Sequence, residues 1–152
     1  MIESVHVDNV VFNKLPYKFE AGTPNVAGAV GMEAALRYIS AIGIEKIKKH
    51  EDRLLDYATK QMDEIKGMKI LGRAKEKTAV ISFVVEGVHP YDLGTLLDQM
   101  GIAVRTGYHC AQPLVESFNL NGTLRASLAV YNTFEEIDKF IQALKRALEM
   151  LR

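Results

Sequence analysis

The chain has 152 residues, of which 48% are apolar and 25% charged, and its 19 basic and 19 acidic residues leave no net formal charge. A domain of this size removes roughly 70% of its unfolded surface from water, so the chain can form a genuine core. Balanced charge argues against broad electrostatic binding of nucleic acid or of an anionic membrane.

Cysteine and histidine usage limits the redox compartment and the kinds of site. One cysteine excludes an intrachain disulfide and a cysteine-cluster metal site. His6, His50 and His89 have no metal-ligand spacing, so no metal site is expected. No apolar run approaches the roughly 20 residues of a membrane span, and the N-terminus lacks a signal-peptide pattern. We expect a cytoplasmic protein.

The N-terminal third is predicted to consist of an irregular segment and two helices. Residues 1–24 are interrupted by Pro16, Gly22 and Pro24, with only a hint of a strand. A helix over 25–42 carries small residues on one side, which fits either tight internal packing or a subunit contact. A second helix over 44–66 has an apolar stripe at 3.6-residue spacing.

The remaining two thirds mix strands with helices. Strands are predicted over 68–71, 79–85, 102–105 and 123–131 from β-branched and apolar runs. Helices are predicted over 90–100 and from Thr133 to the C-terminus, where Thr133 and Glu136 have capping-box spacing, and a helical turn over 114–118. Since βαβ alternation is not strict, the prediction is an α+β fold, a small and mostly antiparallel sheet covered by helices on one face.

The only cysteine, Cys110, lies in a predicted loop between Gly107 and Pro113. Thiolate is the reactive form of cysteine, and a nearby cation favours it. His109 is adjacent and Arg105 lies five residues earlier, at the end of a predicted strand. A buried, inert cysteine is the alternative, whereas functional residues concentrate in loops.

Two further segments offer groups that bind anions. Arg125 lies in an otherwise apolar strand, where an unpaired charge is costly, and its planar fork suits a carboxylate. A structural ion pair or a solvent-facing arginine is the alternative. Gly22-Thr-Pro-Asn25 precedes a helix, and such a segment forms either an anion site or an ordinary helix cap.

Three segments together resemble one family. Phe19–Asn25, Arg105–Pro113 and Arg125–Asn132 are similar, in order and spacing, to the C-terminal part of SufS-type (group II) cysteine desulfurases. These are pyridoxal-phosphate enzymes of the class V aminotransferase group, and the resemblance covers essentially the whole chain. It implies that Cys110 is the nucleophile that becomes a persulfide while L-cysteine is converted to alanine, with the sulfur supplied to iron–sulfur cluster assembly.

The resemblance also implies roles for five other residues. Arg125 would hold the substrate α-carboxylate, with Arg105 and His109 as further substrate contacts. Gly22 and Thr23 would reach the pyridoxal phosphate of the other subunit. The implied partners are a second copy of the chain in a homodimer and a sulfur-acceptor protein. Residues 1–24 would end the cofactor domain, and residues 25–152 would be the small C-terminal domain of a fold-type I pyridoxal-phosphate enzyme.

One family motif does not occur in this sequence. The Schiff-base lysine of the family follows a histidine, whereas the four histidines here precede Val7, Glu51, Pro90 and Cys110. We therefore expect this sequence to be about the last third of the enzyme, to bind no pyridoxal phosphate and to be inactive alone. The alternatives are a free-standing thiol or persulfide carrier, an interaction module, or part of a selenocysteine lyase.

Overall fold

The computed structural model describes residues 1–152 and divides them into two units, Met1–Ile42 and Gly43–Arg152. This division follows the first helix, whereas the sequence-based boundary at residue 24 precedes it. The predicted origin of residues 1–24 in a cofactor domain stays a prediction. No helix is long and apolar enough to cross a membrane.

The first unit contains a hairpin and one helix. Strands β1 (Ile2–Val5) and β2 (Val10–Phe12) pair antiparallel. The sequence analysis predicted no more than one short strand in this region. Helix α1 (Val26–Ile42) follows the predicted range closely. Asn25 caps it, because its Oδ1 accepts a hydrogen bond of 2.9 Å from the Gly28 N–H. No residue of this unit is buried.

The second unit is a four-stranded sheet with helices. Its elements are α2 (Ile44–Asp63), β3 (Met68–Leu71), β4 (Val80–Val85), α3 (Pro90–Gln99), β5 (Arg105–Gly107), α4 (Gln112–Ser117), β6 (Thr123–Ser127) and α5 (Phe134–Leu151). The strand order is β3-β4-β6-β5, and every neighbouring pair is antiparallel. The predicted α+β class with a small antiparallel sheet is confirmed.

The core lies between one face of the sheet and helices α2, α3 and α5. Alternate residues of β4 are buried, as period-two geometry requires of a strand with one covered face. The best-buried side chains are Leu54, Met62, Ile81, Phe83, Leu93, Leu97, Leu124, Ile137 and Leu144. The capping box of Thr133 and Glu136 is present at the start of α5.

Two strand boundaries differ from the sequence-based ranges. β5 begins at Arg105 rather than at residue 102, because the Ile102 N–H donates to the Leu97 carbonyl and closes the end of α3. β6 ends at Ser127 rather than at residue 131, because the Ala129 N–H donates to the Asn132 side chain in a turn.

Candidate active site

Antiparallel pairing of β5 and β6 places two arginines directly opposite each other. Arg105 pairs with Arg125 in the register of the two strands. Leu124 and Ala126 belong to the core, so Arg125, which alternates with them, lies on the opposite face of the sheet. Side chains of such pairs have Cβ atoms about 4.5–5.5 Å apart. Two guanidinium groups therefore share one patch of the sheet.

Neither arginine has a carboxylate partner within the chain. The ion pairs join Glu33 with Arg37, Lys48 with Asp52, Asp56 with Lys60 and Asp63 with Arg73. The Nε of Arg125 is buried and has no hydrogen-bond partner. Like charges directly opposite on neighbouring strands destabilise a sheet, and an anion between them would offset that cost. Within these 152 residues Arg125 therefore forms no structural ion pair.

The loop after β5 carries Cys110 at its tip. Its thiol is free and exposed, so a buried, inert cysteine is excluded. The Nη2 of Arg105 lies 3.8 Å from the Cys110 Sγ, so a positive charge stands beside the thiol. His109 and Cys110 both have positive φ, 55° and 61°. Two consecutive non-glycine residues in the left-handed region are unusual and cost free energy.

Two glycines allow the close strand approach from which this loop starts. Gly107 and Gly122 both have φ of 106°. A Cβ added to Gly122 would lie 3.3 Å from the Cα of Gly107. Glycine at both positions lets the ends of β5 and β6 approach closely while adopting backbone angles that other residues rarely reach. The cysteine loop thus leaves the sheet at a tightly packed corner.

His109 connects this loop to β6 as a neutral group. Its Nε2 lies 2.9 Å from the Oγ1 of Thr123, and its Nδ1 is buried without a partner. Burial lowers the pKa of His109 below its ordinary value, and the nearby charges of Arg125 and Arg105 lower that pKa further. Arg105, and not His109, therefore supplies the positive charge beside the thiol at neutral pH.

Gly22 and Thr23 belong to the first unit and are exposed. Gly22 has φ of 70°, and the cap of α1 is supplied by Asn25 rather than by Thr23. Backbone N–H groups and a hydroxyl next to a helix start suit one phosphate group. The His-Lys pair of the family that the sequence resembles has no counterpart here, and a contact of Gly22 and Thr23 with a cofactor phosphate stays a prediction.

The sequence did not single out Thr123, which is the one buried polar residue of the chain, with 3% of its surface exposed. A polar β-branched residue at the start of an apolar strand was the only available signal. His50 and His89 have structural partners, the Asn132 carbonyl and the Tyr91 N–H. The structure thus brings together Arg105, His109, Cys110, Thr123 and Arg125 in the second unit.

Comparisons with known proteins identify the family of the chain. The profile described as Aminotransferase class-V matches residues 1–140. A probable cysteine desulfurase of Xylella fastidiosa (strain 9a5c) is 50% identical over 151 residues, covering 99% of this chain and 36% of the relative. A cysteine desulfurase of Synechococcus elongatus is 47% identical over 146 residues, covering 96% of this chain and 23% of the relative.

Solved structures give the same result. The cysteine desulfurase CsdA from Escherichia coli superposes with a TM-score of 0.89 at 38% identity, covering 100% of this chain and 38% of that one. A cysteine desulfurase from Thermococcus onnurineus NA1 superposes with a TM-score of 0.86 at 38% identity, covering 98% of this chain and 38% of that one. The chain spans about a third of the length of the Xylella fastidiosa relative. It belongs to the class-V aminotransferase family.

Proposed function

We propose that this chain is the thiol-bearing C-terminal part of a pyridoxal-phosphate-dependent cysteine desulfurase. The enzyme would convert L-cysteine to L-alanine, leave a persulfide on Cys110 and pass the sulfur to an acceptor protein for iron–sulfur cluster assembly. The observation that carries the proposal is the exposed Cys110 thiol 3.8 Å from the Arg105 guanidinium, on a sheet patch where Arg125 has no anionic partner.

Each arginine has a separate task in this proposal. Arg125 holds the substrate α-carboxylate, because its fork can donate two parallel hydrogen bonds to one carboxylate. Arg105 places its positive charge beside the Cys110 sulfur. The thiolate attacks the substrate sulfur, so that an S–S bond forms while the substrate C–S bond breaks. The electron pair of that bond stays on carbon, which takes up a proton, and the three-carbon product leaves as alanine.

Pyridoxal phosphate supplies the electron sink for this C–S cleavage when it is bound. In the proposed homodimer, Gly22 and Thr23 contact its phosphate from the neighbouring subunit. The cofactor lysine would come from a part of the enzyme outside these 152 residues. We therefore propose that the 152-residue chain alone neither binds the cofactor nor releases alanine.

The test is production of alanine and persulfide from L-cysteine. The chain joined to a cofactor-binding domain from a relative is expected to be active, and the 152-residue chain alone is not. Cys110→Ala in the joined enzyme should abolish persulfide formation, with Met150→Ala as an exposed control that retains it. Normal turnover by the Cys110→Ala enzyme would refute the nucleophile assignment, and alanine release by the isolated chain would refute its proposed inactivity.

A persulfide-carrier role for the isolated chain is the second candidate, and the exposure of Cys110 favours it. Incubation with a small persulfide donor, followed by intact-mass measurement, should then show one added sulfur on the chain. Cys110→Ser is the matched control. An unchanged mass of the wild-type chain would rule this candidate out.

The third possibility is that the substrate of the complete enzyme is selenocysteine rather than cysteine. Comparison of kcat/KM for the two amino acids in the joined enzyme distinguishes them. A kcat/KM much higher for selenocysteine would identify a selenocysteine lyase.

A further inference from the structure

The backbone of the cysteine loop is held in an unfavourable conformation. His109 and Cys110 adopt consecutive positive φ angles, and each left-handed non-glycine residue costs roughly 1 kcal/mol or more. Cys110 is exposed and its neighbour Gln112 is exposed as well. The exposed side chains contribute little packing, so the conformation is held by the Ala111 N–H, which donates to the Tyr108 carbonyl over 2.9 Å, and by the contacts of the half-buried His109.

Besides the Arg105–Cys110 contact, a side-chain contact between His109 and Thr123 joins the loop to the sheet. The His109 Nε2 and the Thr123 Oγ1 are 2.9 Å apart, although the two residues are separated by 14 positions in sequence. Thr123 is 3% exposed and is fixed by pairing with Gly107 in the sheet. A hydrogen bond to a rigid, buried hydroxyl is a suitable anchor, since breaking it leaves a buried polar group unsatisfied.

We propose that Thr123 is a positioning residue for sulfur transfer: through His109 it fixes the Cys110 loop so that the thiol stays beside the Arg105 guanidinium. The role rests on the proposed function of Cys110 as the nucleophile. Thr123 touches neither substrate nor cofactor in this proposal and acts only through the loop. The low pKa of His109 agrees with it, because a neutral ring adds no further positive charge near the two arginines.

The position of the Cys110 thiol relative to Arg105 can be measured from its preference for anionic over neutral alkylating reagents. Cys110 is the only cysteine of the chain, so all alkylation reports on this thiol. The alkylation rate is measured with anionic iodoacetate and with neutral iodoacetamide at one pH. The ratio of the iodoacetate rate to the iodoacetamide rate is then divided by the same ratio for a small free thiol. A thiol held beside a guanidinium reacts preferentially with the anion. A general loosening of the fold would also separate the thiol from Arg105, so the free energy of unfolding of each variant is measured, and only variants that stay folded under the alkylation conditions are compared.

Thr123→Val removes the hydroxyl and keeps the side-chain volume, whereas Thr123→Ser keeps the hydroxyl. We expect the normalised ratio to fall about threefold in Thr123→Val, the size of one exposed charge contact, and to stay at the wild-type value in Thr123→Ser. His109→Ala should reproduce the Thr123→Val result. An unchanged ratio in Thr123→Val would overturn the proposal.

Arg105→Gln provides the coupling test. It should lower the ratio by itself, and adding Thr123→Val to it should cause no further fall, because the hydrogen bond acts through the distance to Arg105. An equal fall in both backgrounds would also overturn the proposal. These measurements need no cofactor. A result that refutes the role of Thr123 is therefore distinguishable from a result that refutes the desulfurase function, which is tested separately by alanine release.

Discussion

At the residue scale, the site consists of positive groups that lack an anion. Arg105 and Arg125 face each other across β5 and β6, and the pKa of the nearby His109 is lowered by burial first and then by both charges. A structure selected for stability alone would not place two guanidinium groups in this register. The arrangement is understandable if a substrate carboxylate and a thiolate complete it.

Replacement of Arg125 should weaken productive binding of L-cysteine. Charge-assisted hydrogen bonds contribute about 1.5–3 kcal/mol, so Arg125→Gln in the joined enzyme should lower kcat/KM by about tenfold to a hundredfold. Arg73→Gln, which removes a guanidinium paired with Asp63, is the charge-matched control and should change kcat/KM little. Equal effects of the two substitutions would argue against a specific carboxylate site.

The lowered pKa of His109 predicts a loss of stability in mild acid. The folded chain keeps His109 neutral, whereas an unfolded histidine binds a proton near pH 6.5. The unfolded state therefore binds more protons as the pH falls below about 6.5. The contribution of His109 is fully present above that pH and is lost as the pH falls toward the lower folded pKa.

The measurement is the free energy of unfolding in urea between pH 5 and pH 8. The decline on the acid side should be shallower in His109→Gln than in the wild-type chain. Parallel curves for the two proteins would show that His109 does not titrate with a lowered pKa.

At the element scale, α3 supports the strand that carries Arg105. A Cβ added to Gly94 of α3 would lie 2.3 Å from the Cγ2 of Thr106 on β5. Glycine inside a helix is otherwise unfavourable by about 1 kcal/mol relative to alanine. Gly94 is thus explained by the close approach of α3 to β5, which fixes the strand next to the cysteine loop.

Gly94→Ala should destabilise the fold despite the better helix propensity of alanine. Overpacking costs about 1–3 kcal/mol, which exceeds the propensity gain over most of that range, so we expect a net loss of about 1 kcal/mol in the free energy of unfolding. Thr106→Ser removes the clashing methyl group, and the double variant Gly94→Ala/Thr106→Ser should recover stability. A single variant more stable than wild type would contradict the close-packing explanation.

At the scale of the whole molecule, the first unit is notable for its exposed apolar surface. None of its residues is buried, and a Cβ on Gly31 of α1 would meet no atom within 4 Å. Of the two interpretations of the small residues on α1, tight internal packing is therefore wrong for this chain, and a contact with a further surface remains. Its exposed apolar residues on α1 are Val26, Val30, Met32, Leu36, Tyr38 and Ile39.

We expect the isolated chain to self-associate through this helix, because large exposed apolar side chains favour burial against a second copy. Sedimentation velocity should show oligomers that increase with concentration. Met32→Glu/Leu36→Glu should shift the chain toward monomer, whereas Met150→Glu, at an equally exposed methionine of α5, should not. A wild-type chain that stays monomeric at high concentration would contradict the expectation.

The sequence by itself determined most elements and the chemistry available to the site. Apolar periodicity placed the helices and β3 within a few residues, because it reports local burial, and the order of the Cys110 and Arg125 segments indicated the family. Tertiary structure alone decided that Arg105 faces Arg125, that the His109 ring contacts Thr123 and that burial beside two arginines lowers the pKa of His109. These features depend on strand register and on contacts between residues distant in sequence, which local periodicity does not encode.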